Sequence, residues 1–271
     1  MAGTREAAIR NGAHSQSLER GLAILSSFRS GRPLLGVSEL SREVGLSRST
    51  THRYISTLAV LGYLQQDPPT RKYRLGPRVL DLGFSAINSM DLRDIAAPHL
   101  QALSDETGYT VNMAVLDGAD IVYIERCRSF RQGQRDIDLS LHIGSRLPAY
   151  CTSMGKVLLA YLEDPELSAA LRQVEFDPRG PNTLTGKAAL LAELERVRSG
   201  GLAVNNEELA YGLRSIAAPI RSQTGEVVAA INLAVHRSMI SLTDLLTHLS
   251  PPLKRTAAEI SARIGHRRSA P

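Results

Sequence analysis

Residues 37–76 read VSELSREVGLSRSTTHRYISTLAVLGYLQQDPPTRKYRLG: two short amphipathic segments on either side of a glycine, then a basic tail that alternates apolar and polar positions. Ser38 suits the N-cap of a helix over 39–44, because its hydroxyl can accept an N–H that a helix start leaves unbonded. Gly45 ends that helix, glycine being the residue that turns left-handed at least cost. Ser47 caps the next helix, from Arg48 to about Leu61, whose apolar face is Tyr54, Ile55, Leu58 and Leu61. Two helices joined by so short a turn form a helix-turn-helix, with the second presented to the DNA major groove. Another helix precedes them from near Ser17, with Leu18, Leu22, Leu25 and Phe28 at helical spacing before the Gly- and Pro-containing SGRPLLG.

The side chains suit that placement. Arg48 and Arg53 can reach guanine or phosphate, and Ser49, Thr50 and Thr51 are short donors to phosphates near the helix N-terminus. Ser47 and His52 complete the candidate DNA-binding set on this helix. GYLQQDPPTRKYRLG reads as a β-hairpin wing around Asp67–Thr70, with Arg71, Lys72 and Arg74 toward the DNA backbone. Charge agrees: residues 1–75 hold 11 Lys/Arg against 5 Asp/Glu, whereas the other 196 hold 21 against 22. All the excess positive charge sits in the first quarter, which is the footprint of a polyanion partner. A three-helix packing module with a merely solvated basic face is the plainer alternative.

A chain of 271 residues, 43% hydrophobic, has room for two cored domains at roughly 100–200 residues each. No apolar run nears the roughly 18 residues that span a bilayer, and the N-terminal stretch lacks the apolar segment of a secretion signal. Cys127 and Cys151 make neither a disulfide framework nor a metal cluster. The expectation is a soluble cytoplasmic protein with no membrane partner, no metal and no cofactor.

Beyond the wing, VLDLGFSAI reads as a linker helix and 91–107 as another helix. Strands follow at TVNMAVLD, IVYIER and RDIDLSLH, then helices at about 152–162, 165–173 and 186–199. Three more strands, GLAVNN, GLRSIAAPI and EVVAAINLAV, precede a last helix from near Leu242. This mixed order predicts an α+β fold. The divisions are a disordered tail over 1–14, a winged helix-turn-helix domain over 15–75, a linker helix over 76–90, a sheet domain over 91–265 and a basic tail over 266–271.

Six ordered blocks, SLERGLAIL, VSELSREVGLSRSTTHRYISTLAVLGYL, KYRLGPRVLDLG, PHLQALSDETGYTVNMAVLDGADIVYIER, PAYCTSMGKVLLAYL and GLAVNNEELAYGLRSIAAPI, give the chain its family likeness. It resembles the IclR family of bacterial transcription regulators from Ser15 to about Ile264. HIGSRLPAYCTSMGKVLLA looks most like the subgroup controlling protocatechuate, 4-hydroxybenzoate and β-ketoadipate catabolism. The resemblance implies a winged-helix N-terminal domain, a GAF-like effector domain, operator DNA as partner, and homodimers or dimers of dimers. Ser41 stands where many helix-turn-helices carry Ala, a small-for-small difference.

By position, the resemblance places the effector pocket at Ser153, Met154, Asn205, Ser215, Asn232 and Ala234. Relatives that bind small keto acids carry Asp, Cys and two Ser where this chain has Asn205, Ser215, Asn232 and Ala234, so the pocket transfers but its ligand need not. Physical chemistry favours a small carboxylic acid. The N–H groups opening the TSMGK helix, residues 152–155, form an anion site. Asn205 in place of Asp removes a repelling charge and keeps donors. Arg146 is a candidate bidentate partner for the carboxylate, a surface or interface ion pair being its plainer role. For Ser153 the plainer role is capping the helix.

Enzyme readings are weaker. Ser153 and Lys156 spell the S-x-x-K of acyl-transfer enzymes, but SDE at Ser104 precedes them and no KTG follows. GPNTLTGKA has five residues between its glycines where a phosphate loop has four, and Ala188 replaces the magnesium-binding hydroxyl. The histidines are scattered, without metal-ligand spacing. A small-carboxylate-binding module without DNA binding remains the third alternative, separable by whether the protein binds DNA at low salt.

Overall fold

The computed structural model describes residues 14–29, 31–88, 91–128 and 141–264. The tail expected over 1–14 (His14 apart), the RDIDLSLH strand up to residue 140 and the basic tail 266–271 lie outside the described residues. Two compact units divide the chain, Met1–Ser89 and Met90–Pro271.

In the first unit α1 (Gln16–Ser26), α2 (Val37–Glu43) and α3 (Arg48–Val60) precede a hairpin of β1 (Leu64–Gln66) and β2 (Tyr73–Leu75), and α4 (Arg78–Asn88) follows. Ile24, Leu35, Leu40, Ile55, Leu64 and Tyr73 form the core. Leu35 bridges to Tyr73 through two backbone hydrogen bonds, tying the segment before α2 to the hairpin. Gly45 is left-handed, with φ of 65°, as a helix stop requires.

Two expectations change. The N-cap of α2 is Gly36, because Glu39 reaches back to accept its N–H at 2.8 Å; Ser38 lies within the helix. The apolar stripe of α1 turns only partly inward: Ile24 is sealed and Leu25 and Phe28 pack on the core, whereas Leu18 and Leu22 are 63% and 54% exposed.

The second unit is a six-stranded antiparallel sheet ordered β5-β4-β3-β8-β7-β6. Its strands are β3 (Thr110–Asp117), β4 (Asp120–Cys127), β5 (Arg146–Pro148), β6 (Ala203–Asn206), β7 (Leu213–Arg221) and β8 (Val227–His236). The first helix, α5 (Asp91–Thr107), precedes the sheet; α6 (Ser153–Ala160), α7 (Asp164–Leu171) and α8 (Lys187–Gly200) lie between β5 and β6. The last elements of the described residues are α9 (Leu242–Asp244) and α10 (Ser250–Arg263), joined by one wide helical turn, Leu245–Leu249. Pro251 and Pro252 explain that turn, since neither has an N–H to donate to a carbonyl one turn back.

Side chains alternate across the strands, so the sheet has two apolar faces. Val111, Met113, Ile216, Ile231 and Leu233 pack with residues of α5 and α10. Ala114, Ala217 and Ala230 face the other way, where their small size lets α6 lie close to the sheet. All eight residues of α6 are buried. Nothing polar on that helix can therefore be incidental, and its environment decides what the sheet face beneath it can do.

Candidate functional site

The helix-turn-helix presents its polar residues unevenly. Ser47, Arg48, Ser49, His52 and Arg53 are exposed and Thr50 is half-buried. Ser47 caps α3, its hydroxyl accepting from the Thr50 N–H at 3.2 Å. Thr51 departs from expectation: its side chain is fully buried and donates to the Ser47 carbonyl at 2.9 Å. It therefore packs the helix onto the core instead of facing a groove. Arg48 turns back to donate to the Ser38 hydroxyl, joining the two helices.

On the wing Arg71 is exposed and left-handed, with φ of 59°. Arg74 donates to Gln65 across the hairpin at 3.1 Å. Lys72 is tied inward, its ammonium 3.1 Å from the Glu39 carboxylate. The Gly36 N–H, and then Lys72, hold that carboxyl below its ordinary value. Lys72 thus straps the wing to α2, and Arg71 and Arg74 are the wing's exposed cations.

In the second unit, register and pleat build a cavity on the α6 side of the sheet. Arg126 pairs with Asn112, Asn112 with Asn232 and Asn232 with Ala217. One step along, Thr110 pairs with Ala234, Ala234 with Ser215 and Ser215 with Asn205. All of these except Ala217 line the cavity, together with Tyr123, Thr152, Leu209 and His236. Of the expected pocket residues, Asn205, Ser215, Asn232 and Ala234 come together. Ser153 stands behind Ser215, the two hydroxyls 2.7 Å apart. Met154 is buried in the core beside the sheet.

Three expectations are corrected. Arg146 lies outside the cavity lining and pairs with Asp117 at 2.7 Å and Asp120 at 3.4 Å; these carboxylates, closing the neighbouring β-turn, claim its guanidinium. The cap of α6 is Thr152, whose hydroxyl accepts from the Gly155 N–H at 3.1 Å, so Ser153 is not the cap. Asn205 is engaged on both sides of its amide, donating to the Cys151 carbonyl at 3.2 Å and accepting from the Glu208 N–H at 2.9 Å. It shapes the wall more than it offers donors.

Arg126, Asn112, Tyr123 and His236 were absent from the expected set. Period-two alternation from Asn232 could have reached Asn112 and Arg126 only once the β3–β8 and β3–β4 registers were known. The network orients its own amides. Arg126 can only donate, so the Asn112 atom facing its Nη1 at 3.1 Å is oxygen. Asn112 then gives its nitrogen to Asn232 Oδ1 at 2.8 Å, which turns the Asn232 nitrogen outward as the end of the row. Burial pushes the Tyr123 phenol up to about 12, so it keeps its proton and can donate as well.

The S-x-x-K pair is divided between partners. Ser153 meets Ser215, and the Lys156 ammonium is held by Glu208 at 2.7 Å and Glu193 at 3.3 Å. Among the described residues no helix is long and apolar enough to cross a membrane.

Comparison with known proteins agrees with this architecture. Residues 17–68 match the IclR helix-turn-helix domain, and residues 84–262 match the bacterial transcriptional regulator IclR C-terminal domain. The chain is 37% identical to the Pca regulon regulatory protein of Pseudomonas putida, over 90% of this chain and 82% of that protein. It is 32% identical to the p-hydroxybenzoate hydroxylase transcriptional activator of Acinetobacter baylyi, over 93% of each. A transcriptional regulator of solved structure from Rhodococcus sp. RHA1 superposes with a TM-score of 0.77 at 40% identity, covering 93% of this chain and 98% of that one. With both of its units matched in order, an exposed recognition helix in the first and a polar cavity in the second, the chain belongs to the IclR family of bacterial transcriptional regulators.

Proposed function

We propose that this regulator binds operator DNA as a homodimer or a dimer of dimers in the cytoplasm, and that a small carboxylic acid from aromatic breakdown controls it. The observation that carries the reading is the cavity wall: it gathers Arg126, Asn232, Ser215 and Tyr123, and no carboxylate of the described residues lines it. Such a wall rewards an oxygen-rich anion. The activator of p-hydroxybenzoate hydroxylase among its relatives supports the aromatic class.

The cavity volume of about 50 Å³ is well below the roughly 150 Å³ that admits benzene. An aromatic acid therefore binds only as the walls move apart, and a ligand acts through its preference between two arrangements. Exposed Leu18 and Leu22 on α1, and Leu80 and Leu82 on α4, at 61% and 55%, support pairing of copies. A single recognition helix reads too few base pairs to find one site in a genome, so two half-sites about one helical turn apart are expected.

A thermal-shift screen of benzoate, 4-hydroxybenzoate, 3,4-dihydroxybenzoate and aliphatic dicarboxylates tests the ligand class, with operator binding followed in parallel. An aromatic acid should raise the melting temperature and change operator affinity. A response confined to sugars or amines would remove the acid reading.

A further inference from the structure

We infer that Arg71, held in a strained backbone conformation at the wing tip, reads the width of the DNA minor groove beside each half-site. The regulator thereby selects A·T pairs outside the bases that its recognition helix touches. This rests on the chain binding operator DNA, and it goes beyond a contact with phosphate.

The backbone singles the residue out. Arg71 has φ of 59°, a left-handed conformation that glycine adopts freely and other residues only at a cost. Among the described residues one other non-glycine, Glu207, has a positive φ, and bonds inside the fold account for it. Its carboxylate accepts the Gly212 N–H at 3.0 Å and pairs with Arg237 at 3.1 Å. The Arg71 side chain is exposed and forms no ion pair or hydrogen bond with the described residues. Strain kept at an exposed cation that the fold does not use points to a ligand.

The turn fixes where that cation stands. The Arg71 N–H donates to the Asp67 carbonyl at 2.9 Å, and its own carbonyl accepts from Gln66 Nε2 at 3.0 Å. The Asp67 carboxylate accepts from the Thr70 N–H at 3.2 Å and the Thr70 hydroxyl at 2.5 Å. Pro68 and Pro69 fix their own φ. So stiff a turn has little freedom left to lose on binding.

The strap supplies the placement. Lys72, the next residue, pairs with Glu39 on α2 at 3.1 Å. In a helix-turn-helix the first helix crosses the DNA backbone while the second lies in the major groove. A wing tip tied to the first helix is therefore carried over the backbone, and beyond the backbone is the minor groove. At about 6 Å wide it excludes a helix and admits a side chain. A·T runs narrow it and strengthen its negative potential, which draws arginine in, whereas G·C pairs place an amino group on its floor. Arginine suits this better than lysine, because its guanidinium sheds water more readily.

The test starts from a random-sequence duplex pool selected by the full-length protein, which needs no known operator. The unaltered protein should enrich A·T pairs roughly half a helical turn outside each half-site. R71G and R71A should recover the same half-sites without that enrichment. Selected duplexes are then remade with G·C or inosine·cytosine pairs in the flanks. Inosine lacks the amino group that guanine puts in the minor groove, yet it shows guanine's face to the major groove. A·T and inosine·cytosine flanks should bind alike, about fivefold or more tighter than G·C flanks. R71G and R71A should erase that ratio, and R71K should shrink it. R71G also relieves the left-handed strain, so it should melt no lower than the unaltered protein, which separates a lost preference from lost folding. A flank preference that survives in R71G, inosine·cytosine flanks that bind like G·C, or an R71A loss equal for all flanks overturns the inference and leaves operator binding standing. A lower melting temperature in R71G removes the strain and overturns it too. A pool without any enriched half-site at low salt overturns the DNA reading and the inference with it.

Discussion

The Lys156 ammonium lies 2.7 Å from Glu208 Oε1, with the lysine side chain 1% exposed and the glutamate 9%. The pair joins α6 to the loop after β6, and the N–H of the same Glu208 donates to Asn205 at the cavity wall. The lysine of the S-x-x-K sequence therefore has a structural employment that needs no acyl chemistry.

Breaking a buried ion pair on one side strands the other charge, at a cost of about 3–5 kcal/mol. Lys156→Met should lower stability by that order, and Lys156→Met with Glu208→Leu should recover much of it; urea unfolding midpoints measure both. Burial pushes the Glu208 carboxyl above its ordinary value of 4.5, with Lys156 offsetting part of the rise. The folded chain thus holds this proton more tightly than the unfolded chain. The resulting stability is present at low pH and is lost as pH climbs from about 4.5 through the raised value. Glu208→Gln should flatten that fall, and an unchanged pH profile would show that the carboxyl is not raised.

Gly155 sits where a Cβ would collide with the Ala149 backbone and the Thr152 hydroxyl. In an open helix Gly→Ala would stabilise by roughly 0.5–1 kcal/mol. Here overpacking should reverse the sign, costing about 2 kcal/mol or more. A melting temperature equal to or above the parent's would contradict this packing.

Both thiols are buried and free. Burial pushes Cys127 up to about 11 and Cys151 up to about 12, and the thiolate is the reactive form. Iodoacetamide at pH 8 should leave the native chain almost unlabelled and label two sites in urea. Rapid labelling of native Cys151 would show that α6 opens readily.

Arg53 is the outward arginine of α3 that makes no strap to α2, and a bidentate base contact is worth roughly 1–3 kcal/mol. Arg53→Ala should cost specific operator binding about that much. Arg71→Ala should lower the salt slope by about 0.9, and Lys72→Ala by less, because Glu39 already neutralises it. Equal slopes for the two wing variants would mean that the Lys72–Glu39 bond opens on DNA.

The helix-turn-helix was legible because the Ser47 cap, Gly45 and Ile55 act within a few residues of one another, whereas the cap of α2 fell two residues before the expected Ser38. Thr51 was misread there: its polarity suggests a phosphate donor, yet an i−4 bond lets threonine satisfy its hydroxyl inside a core. The strands of the sheet could be read from alternation, but β5 is only three residues long and carries no pattern. The cavity was half legible. Residue-by-residue likeness found β7 and β8, whereas Arg126 joins the site through a pairing register that no local pattern encodes.

Ser215 offers the sharpest separation of sensing from DNA binding. It is 3% exposed, lines the cavity and bonds Ser153. Leucine at 215 would fill the space with methyl groups and remove the hydrogen bond to Ser153, at the cost of stranding one buried hydroxyl, about 1–3 kcal/mol. The recognition helix belongs to the other compact unit, so operator affinity without effector should stay within about twofold. The unaltered protein should show a coupling of roughly 1–3 kcal/mol between acid and DNA, and linkage requires it to be equal in both directions. Operator DNA must therefore shift the acid's dissociation constant by the factor that the acid shifts the operator's. In Ser215→Leu both shifts should vanish together. A variant that kept one and lost the other would break the linkage, and one that kept both would move the sensing site off this face of the sheet.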